Sequence, residues 1–299
     1  MTEVVERGAC AGLPARALEE ARLIEIRVRR LVRSLMVGEY GSVFKGSGME
    51  FHEIREYVPG DDVRAIDWKT TAKLGTPYVR VCIEEKDLPV VFLVDVSGSM
   101  DYGSGESTKR EEAAVLTALL GLAALRWNNP VGLIAFSDRV EFMVRPRRGR
   151  KVLTEMTARL LGAEPMGRGS DVGAGIDAVL RVGWKRGLVF IVSDFDAGDF
   201  SLPLRSLAAR CTVVPVVLSD EREEKIPDVG FVKFVDTETG ETAVFDASDE
   251  GFRDHVASCF RRLKARREAI FRNCGVEWID LCVSTPSLRP LREFFGKRV

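Results

Sequence analysis

The sequence predicts an α/β protein: a doubly wound, mostly parallel sheet with helices on both faces, preceded by an N-terminal helix and a small β-containing extension. Three observations carry that expectation. Short runs of consecutive apolar residues recur, the pattern of strands covered on both sides. Segments of helical length separate those runs. Clusters of Ser and Asp stand directly after two of them, where ligands bind in sheets of this kind.

Residues 14 to 36 read as an amphipathic helix. Pro14 suits its first turn, and Leu18, Ile24, Val28, Leu31 and Leu35 recur at helical spacing. Its arginines are diluted by Glu19, Glu20 and Glu25, so a helix docked on its own protein is expected, not a membrane-surface helix. From Gly38 to Lys86 the pattern changes to turns and short strands. Tyr78 to Ile83 forms one alternating run, and Asp61 or Asp62, in the turn Pro59-Gly60-Asp61-Asp62, is expected to cap a short helix toward Asp67-Trp68.

After Pro89, strand and helix alternate. Val90 to Val94 is the first buried strand, followed by a helix over 109–127 and a strand over Val131 to Phe136. Val140 to Val144 is a hairpin partner to it. Helices are expected over 151–161 and 172–182, and Leu188 to Val192 and Thr212 to Val217 repeat the strand signature. Residues 229–246 read as two strands around Thr239-Gly240. A helix over 250–273, a strand over 276–283 and a helix over 287–296 complete the chain.

Composition excludes several classes. The 299 residues carry 44 basic and 45 acidic side chains, a net charge of -1, and the balance holds on both sides of residue 86. Bulk electrostatic binding of nucleic acid is therefore not expected. Two histidines, His52 and His255, exclude a histidine metal cluster. Six cysteines without a CxxC pair read as free thiols in a reducing compartment. The first thirty residues hold no apolar h-region, so no secretory signal is expected, and the longest apolar stretch, Ala113 to Leu125, is too short to span a bilayer. A cytoplasmic protein without a membrane span is the expectation.

Three polar clusters can carry chemistry: Asp95-Val96-Ser97-Gly98-Ser99, Gly169-Ser170-Asp171 and Ser193-Asp194. Alternate residues of an extended segment point the same way, so Asp95, Ser97 and Ser99 can turn three oxygens toward one point. Carboxylates and hydroxyls form a hard-oxygen donor set, suited to Mg²⁺, with Mn²⁺ or Ca²⁺ as alternatives. Asp95, Ser97, Ser99 and Ser170 would hold the ion, with Asp194 acting directly or through a water. An ion held mainly by neutral hydroxyls keeps most of its charge and favours capture of a partner's Asp or Glu.

This arrangement resembles the metal-ion-dependent adhesion site of von Willebrand factor A-type domains, whose sheet is Rossmann-like. Gly48-Met49-Glu50-Phe51, the stretch Arg55 to Arg64, Ile66-Asp67-Trp68, Val192 to Phe195 and Leu291 to Phe295 are similar to the signature of domain-of-unknown-function family 58. That resemblance implies a prokaryotic protein with a family-specific region over 1–86 and an A-type domain over 87–299. It further implies binding of other proteins beside a MoxR-type AAA+ ATPase in chaperone-like maturation. The family's usual threonine in the second loop is Ser170 here, which keeps the hydroxyl.

The enzyme alternative is a Mg²⁺-dependent phosphohydrolase of the haloacid-dehalogenase type. It needs a general acid two residues after the first Asp, and Ser97 stands there. No histidine lies in the three loops to activate Ser97, and there is no P-loop. A non-enzymatic binding protein is expected. The basic runs Arg145 to Lys151 and Arg261 to Arg267 read as solvated faces, Asp220 to Glu224 as an exposed loop, and Trp68, Trp127, Trp184 and Trp278 as packing residues.

Overall fold

The computed structural model describes residues 14–35, 49–84, 88–167, 169–184, 186–236, 240–285 and 287–296. Gly48, Thr239 and Cys10 lie outside them. In chain order the elements are α1 (Ala15–Leu35), β1 (Met49–Glu56), α2 (Trp68–Leu74), β2 (Tyr78–Glu84), β3 (Val90–Asp95), α3 (Lys109–Arg126), β4 (Val131–Phe136), β5 (Val140–Arg147), α4 (Arg150–Leu161), α5 (Val172–Val182), β6 (Leu188–Ser193), α6 (Ser201–Ala208), β7 (Thr212–Ser219), α7 (Glu221–Glu224), β8 (Phe231–Val235), β9 (Thr242–Asp246), α8 (Glu250–Asn273), β10 (Ile279–Cys282) and α9 (Arg289–Gly296).

Six strands form the central sheet in the order β10-β7-β6-β3-β4-β5. All pair in parallel except β5, which runs antiparallel to β4. The doubly covered strand predicted at Val90 to Val94 is present, and its alternation shows why it has no polar face. Val90, Phe92 and Val94 join one apolar cluster with residues of α1, α3, α4 and α9. Val91 and Leu93 join a second cluster with residues of α5, α6 and α8. Successive side chains of a strand point to opposite faces, and both faces here are roofed. Val28 and Val32 of α1 belong to the first cluster, so α1 is part of that roof.

Strand order reverses between β3 and β6: the chain moves outward to β4 and β5 on one side, then returns to build β6, β7 and β10 on the other. The loops after β3 and β6 leave the sheet on opposite sides there, and a crevice opens between their carboxyl ends.

Outside this sheet, β1 and β2 pair antiparallel, as do β8 and β9. Asp62 accepts from Arg64 N (2.9 Å) in a one-turn 3-10 segment, while Asp67 accepts from Lys69 N and Thr70 N (3.0 and 3.1 Å) and caps α2. Asp61 instead pairs with Arg55, both oxygens engaged at 2.7 and 2.8 Å.

Several expectations are corrected. Helix α6 was not foreseen. Its N-cap is Phe200, which makes no side-chain cap bond, and Pro203 sits in its first turn, where a missing N–H costs nothing. Asp220 to Glu224 is not an exposed loop: Asp220 is 1% exposed and shares a capping box with Glu223. Arg267 is 8% exposed, not part of a solvated face. Trp68 opens α2 at the surface, 68% exposed, because the buried member of that turn is its cap, Asp67. Among the described residues no helix is long and apolar enough to cross a membrane.

Candidate metal centre

The crevice at the β3/β6 reversal gathers the three polar loops. Asp95, the last residue of β3, and Ser97 are fully buried. Ser97 N donates to Asp95 Oδ1 (2.9 Å), which curls the chain so that Ser97 and Ser99 approach each other, Oγ to Oγ 3.2 Å. From the loop before α5, Ser170 Oγ donates to Asp95 Oδ2 (2.6 Å). From the end of β6, Ser193 Oγ donates to the same oxygen (2.8 Å). One carboxylate thus lies at the centre of hydroxyls drawn from three loops.

The loop carrying Ser170 is clamped by its neighbours. Glu141 accepts from Ser137 Oγ (2.5 Å), Gly167 N (2.9 Å) and Met166 N (3.1 Å), and Asp171 N donates to Ser137 O (2.9 Å). A Cβ on Gly167 would lie 2.2 Å from Ser137 Oγ, so only glycine permits this approach. Asp171 caps α5 through Ala174 N (3.0 Å).

The turn after β6 is held in an unusual conformation. Phe195 has φ 57, in the left-handed region that a non-glycine residue occupies only when its surroundings dictate it. Ser193 Oγ accepts from Phe195 N (2.9 Å), Arg267 donates to Asp194 O (2.8 Å), and the Phe195 ring packs against Phe200 and Phe271. These contacts aim Ser193 at Asp95.

Asp194 is turned another way. Its Oδ2 accepts from Lys109 Nζ (3.1 Å), and its Oδ1 accepts from Asp196 N (3.2 Å). Lys109 is 1% exposed and also bridges to Glu223 of α7. Burial pulls the Lys109 ammonium down, and Asp194 and Glu223 together more than reverse that, so it stays charged. The neighbouring residue, Arg110, donates to Val96 O (3.1 Å), Ala163 O (2.6 Å) and Asp101 (2.8 Å). The first two residues of α3 therefore brace all three loops.

Electrostatics single out Asp95. Burial raises its carboxyl, the Asp194 charge adds to that, and donors at Ser170 and Ser97 offset only part, leaving it at about 6. An ionised Asp95 is a buried anion held by neutral hydroxyls, while Lys109 is engaged by two other carboxylates. Among the described residues no group of three or more His, Cys, Asp or Glu side chains could hold a metal. An ion here would rest on one carboxylate and several hydroxyls, a donor set that fits a small hard cation and not zinc.

The structure brings Asp95, Ser97, Ser99 and Ser170 together, and it sets Asp194 beside Lys109. Sequence reasoning named the Ser193-Asp194 cluster but gave a role at the ion to Asp194 alone, and it missed Lys109. A signal for Lys109 existed: a helix N-terminus repels cations, so Lys109-Arg110 in a first turn require carboxylates or carbonyls brought from elsewhere.

Comparison with known proteins identifies the family of the chain. The family described as "Protein of unknown function DUF58" matches residues 53–266. The "Uncharacterized protein Rv1480" of Mycobacterium tuberculosis is 31% identical over 280 residues, covering 93% of this chain and 88% of that one. "Uncharacterized protein MAV169" of Mycobacterium avium is 34% identical over 118 residues, 39% of this chain and 69% of its own. Among solved structures, conserved hypothetical protein BatB from Bacteroides thetaiotaomicron aligns at TM-score 0.46 and 16% identity, over 71% of this chain and 96% of that one. An aerotolerance-related membrane protein from Bacteroides fragilis aligns at TM-score 0.45 and 16% identity, over 71% and 98%. The chain belongs to the DUF58 family.

Proposed function

We propose that this protein is a non-enzymatic adaptor whose A-type domain captures a partner through a divalent cation, Mg²⁺ in the first place. The carrying observation is the convergence of the Ser170 and Ser193 hydroxyls on the buried Asp95 carboxylate at the strand-order reversal, with the Ser97 and Ser99 hydroxyls paired in the loop that follows it. In this reading Asp95, Ser97, Ser99 and Ser170 hold the ion. Asp194, paired with Lys109, acts through a water and sets the field. With Asp194 neutralised, the ion sees one uncompensated carboxylate and keeps net positive charge. It therefore accepts an Asp or Glu from the partner as its last ligand.

The resemblance to von Willebrand factor A-type domains supports a MoxR-type AAA+ ATPase as that partner, in cytoplasmic, chaperone-like maturation of other proteins. The test is surface-immobilised binding of a MoxR-type ATPase from the same genome, with Mg²⁺ and with EDTA. Saturable binding that vanishes in EDTA and in the folded Asp95→Ala protein is expected. Binding indifferent to both contradicts the proposal.

A further inference from the structure

Helix α8 carries a second pair of metal-ligating side chains. Its buried residues, Arg267 and Phe271, lie in its C-terminal half, and no residue of its first half is buried. In that first half stand His255, exposed, and Cys259, partly exposed and a free thiol. About 18 Å of helix axis separates His255 from Arg267, the residue of α8 that reaches the Asp95 crevice through Asp194 O.

Residues four apart on a helix lie one above the other on the same face. Here that brings Cys259 Sγ to 3.6 Å from His255 Nε2. In a tetrahedral zinc site, nitrogen lies about 2.0–2.1 Å and sulfur about 2.3 Å from the metal. At the tetrahedral angle those lengths put the two ligand atoms about 3.6 Å apart. The pair therefore stands at the separation that one shared ion requires. Arg262 Nη2 donates to the same sulfur (3.3 Å), the kind of bond that orients a ligating group from outside the metal. Arg261 turns back to Ala257 O (3.3 Å).

The other described free cysteines are engaged differently. Cys211 is buried and donates to Trp184 O (3.8 Å), and Cys274 donates to Ser201 O (3.5 Å). Cys282 Sγ meets Ser284 Oγ (3.0 Å). Cys259 is the one whose sulfur meets an imidazole.

We propose that His255 Nε2 and Cys259 Sγ form a two-ligand site for a divalent cation of the zinc class, with the remaining positions open to water or to a second copy of the chain. A sulfur and imidazole pair selects such an ion over Mg²⁺, whereas the oxygen donors around Asp95 do the reverse. Binding displaces the thiol proton, because the thiolate is the ligand. Structural zinc takes four protein ligands, so two hold the ion in reversible exchange. The site is independent of the cation reading at Asp95, since no residue is shared and the class of ion differs.

The experiment is titration of the reduced, metal-free protein with Co²⁺ in excess Mg²⁺, read by the thiolate-to-cobalt charge-transfer absorption that reports a Co–S bond. A saturable absorption is expected, and Zn²⁺ displaces it. Cys259→Ser removes it, and His255→Ala weakens Co²⁺ binding at least ~10-fold. Both substitutions lie on an unburied stretch of helix, and circular dichroism identical to wild type shows that the fold is kept. Cys282→Ser leaves the absorption as it is. One ion per chain means that water completes the shell, and one ion per two chains means that a second copy does; both support the site. No saturable charge-transfer absorption, absorption retained in Cys259→Ser, or undiminished affinity in His255→Ala overturns the proposal.

Discussion

The two ends of α3 carry the same sign of charge in opposite circumstances. At its start, Lys109 and Arg110 are buried and engaged by carboxylates and carbonyls from three loops. At its end, Arg126 is exposed and borders an arginine-lined cavity. The helix dipole opposes the first arrangement and favours the second. Cations persist at the wrong end of a helix only where other groups over-compensate. The difference shows that a basic residue's role is set by what converges on it. Lys109 is a brace built into the fold, and Arg126 is a charge at the exposed end of the same helix.

The largest expected effect breaks that comparison most sharply. Lys109→Met leaves the Asp194 carboxylate buried without its cation, and loss of one partner of a buried pair costs about 3–5 kcal/mol. Arg126→Met removes an exposed charge and is expected to change stability by no more than ~0.5 kcal/mol. Urea unfolding of both variants decides it: equal, small effects would mean that Lys109 braces nothing.

A smaller effect sharpens the view of the Ser170 loop. Burial raises the Glu141 carboxyl, but the Ser137 hydroxyl and the Gly167 and Met166 amides more than offset that and hold it below its ordinary 4.5. Its contribution is therefore present above that ordinary value and is lost as pH falls through the depressed one. Glu141→Gln is expected to cost about 1–3 kcal/mol at neutral pH, since it leaves donors poorly paired. The gap from wild type should close as the pH drops well below 4.5. A gap that persists unchanged in acid would show that the carboxylate charge is not what holds the loop.

The parts of this molecule that were legible in the sequence are those that local pattern specifies. Val90 to Val94 and Leu188 to Val192 read as doubly covered strands because burial on both faces permits no polar residue. The long helix was placed at 250–273 because nothing within it breaks a helix, and α8 runs from Glu250 to Asn273. Asp95, Ser97 and Ser99 were legible because hydroxyls after a buried strand leave a local trace, and Ser170 because it stands in a polar loop before a helix. What escaped depends on distance along the chain. Lys109 meets Asp194 across 85 residues and Glu223 across 114, and no spacing rule reports such a meeting. Ser193 was named as part of a polar cluster, but its bond to Asp95, 98 residues away, was not foreseen. Helix α6 has the apolar Phe200 at its cap position, and Asp199, one residue earlier, accepts from Ser201 N (2.9 Å) instead. For α7 the capping box Asp220–Glu223 was present in the sequence, hidden inside a run of charges that reads as loop.

Titration of the metal-free protein with Mg²⁺ and Mn²⁺ by calorimetry, beside Asp95→Ala, bears most directly on the cation site. One saturable site in the wild type, absent from a mutant that melts at the same temperature or higher in EDTA, is expected, because the mutation removes both the ligand and an uncompensated buried anion. Undiminished binding by Asp95→Ala would contradict the site, and so would no binding by the wild type even with an acidic peptide supplied to complete the shell.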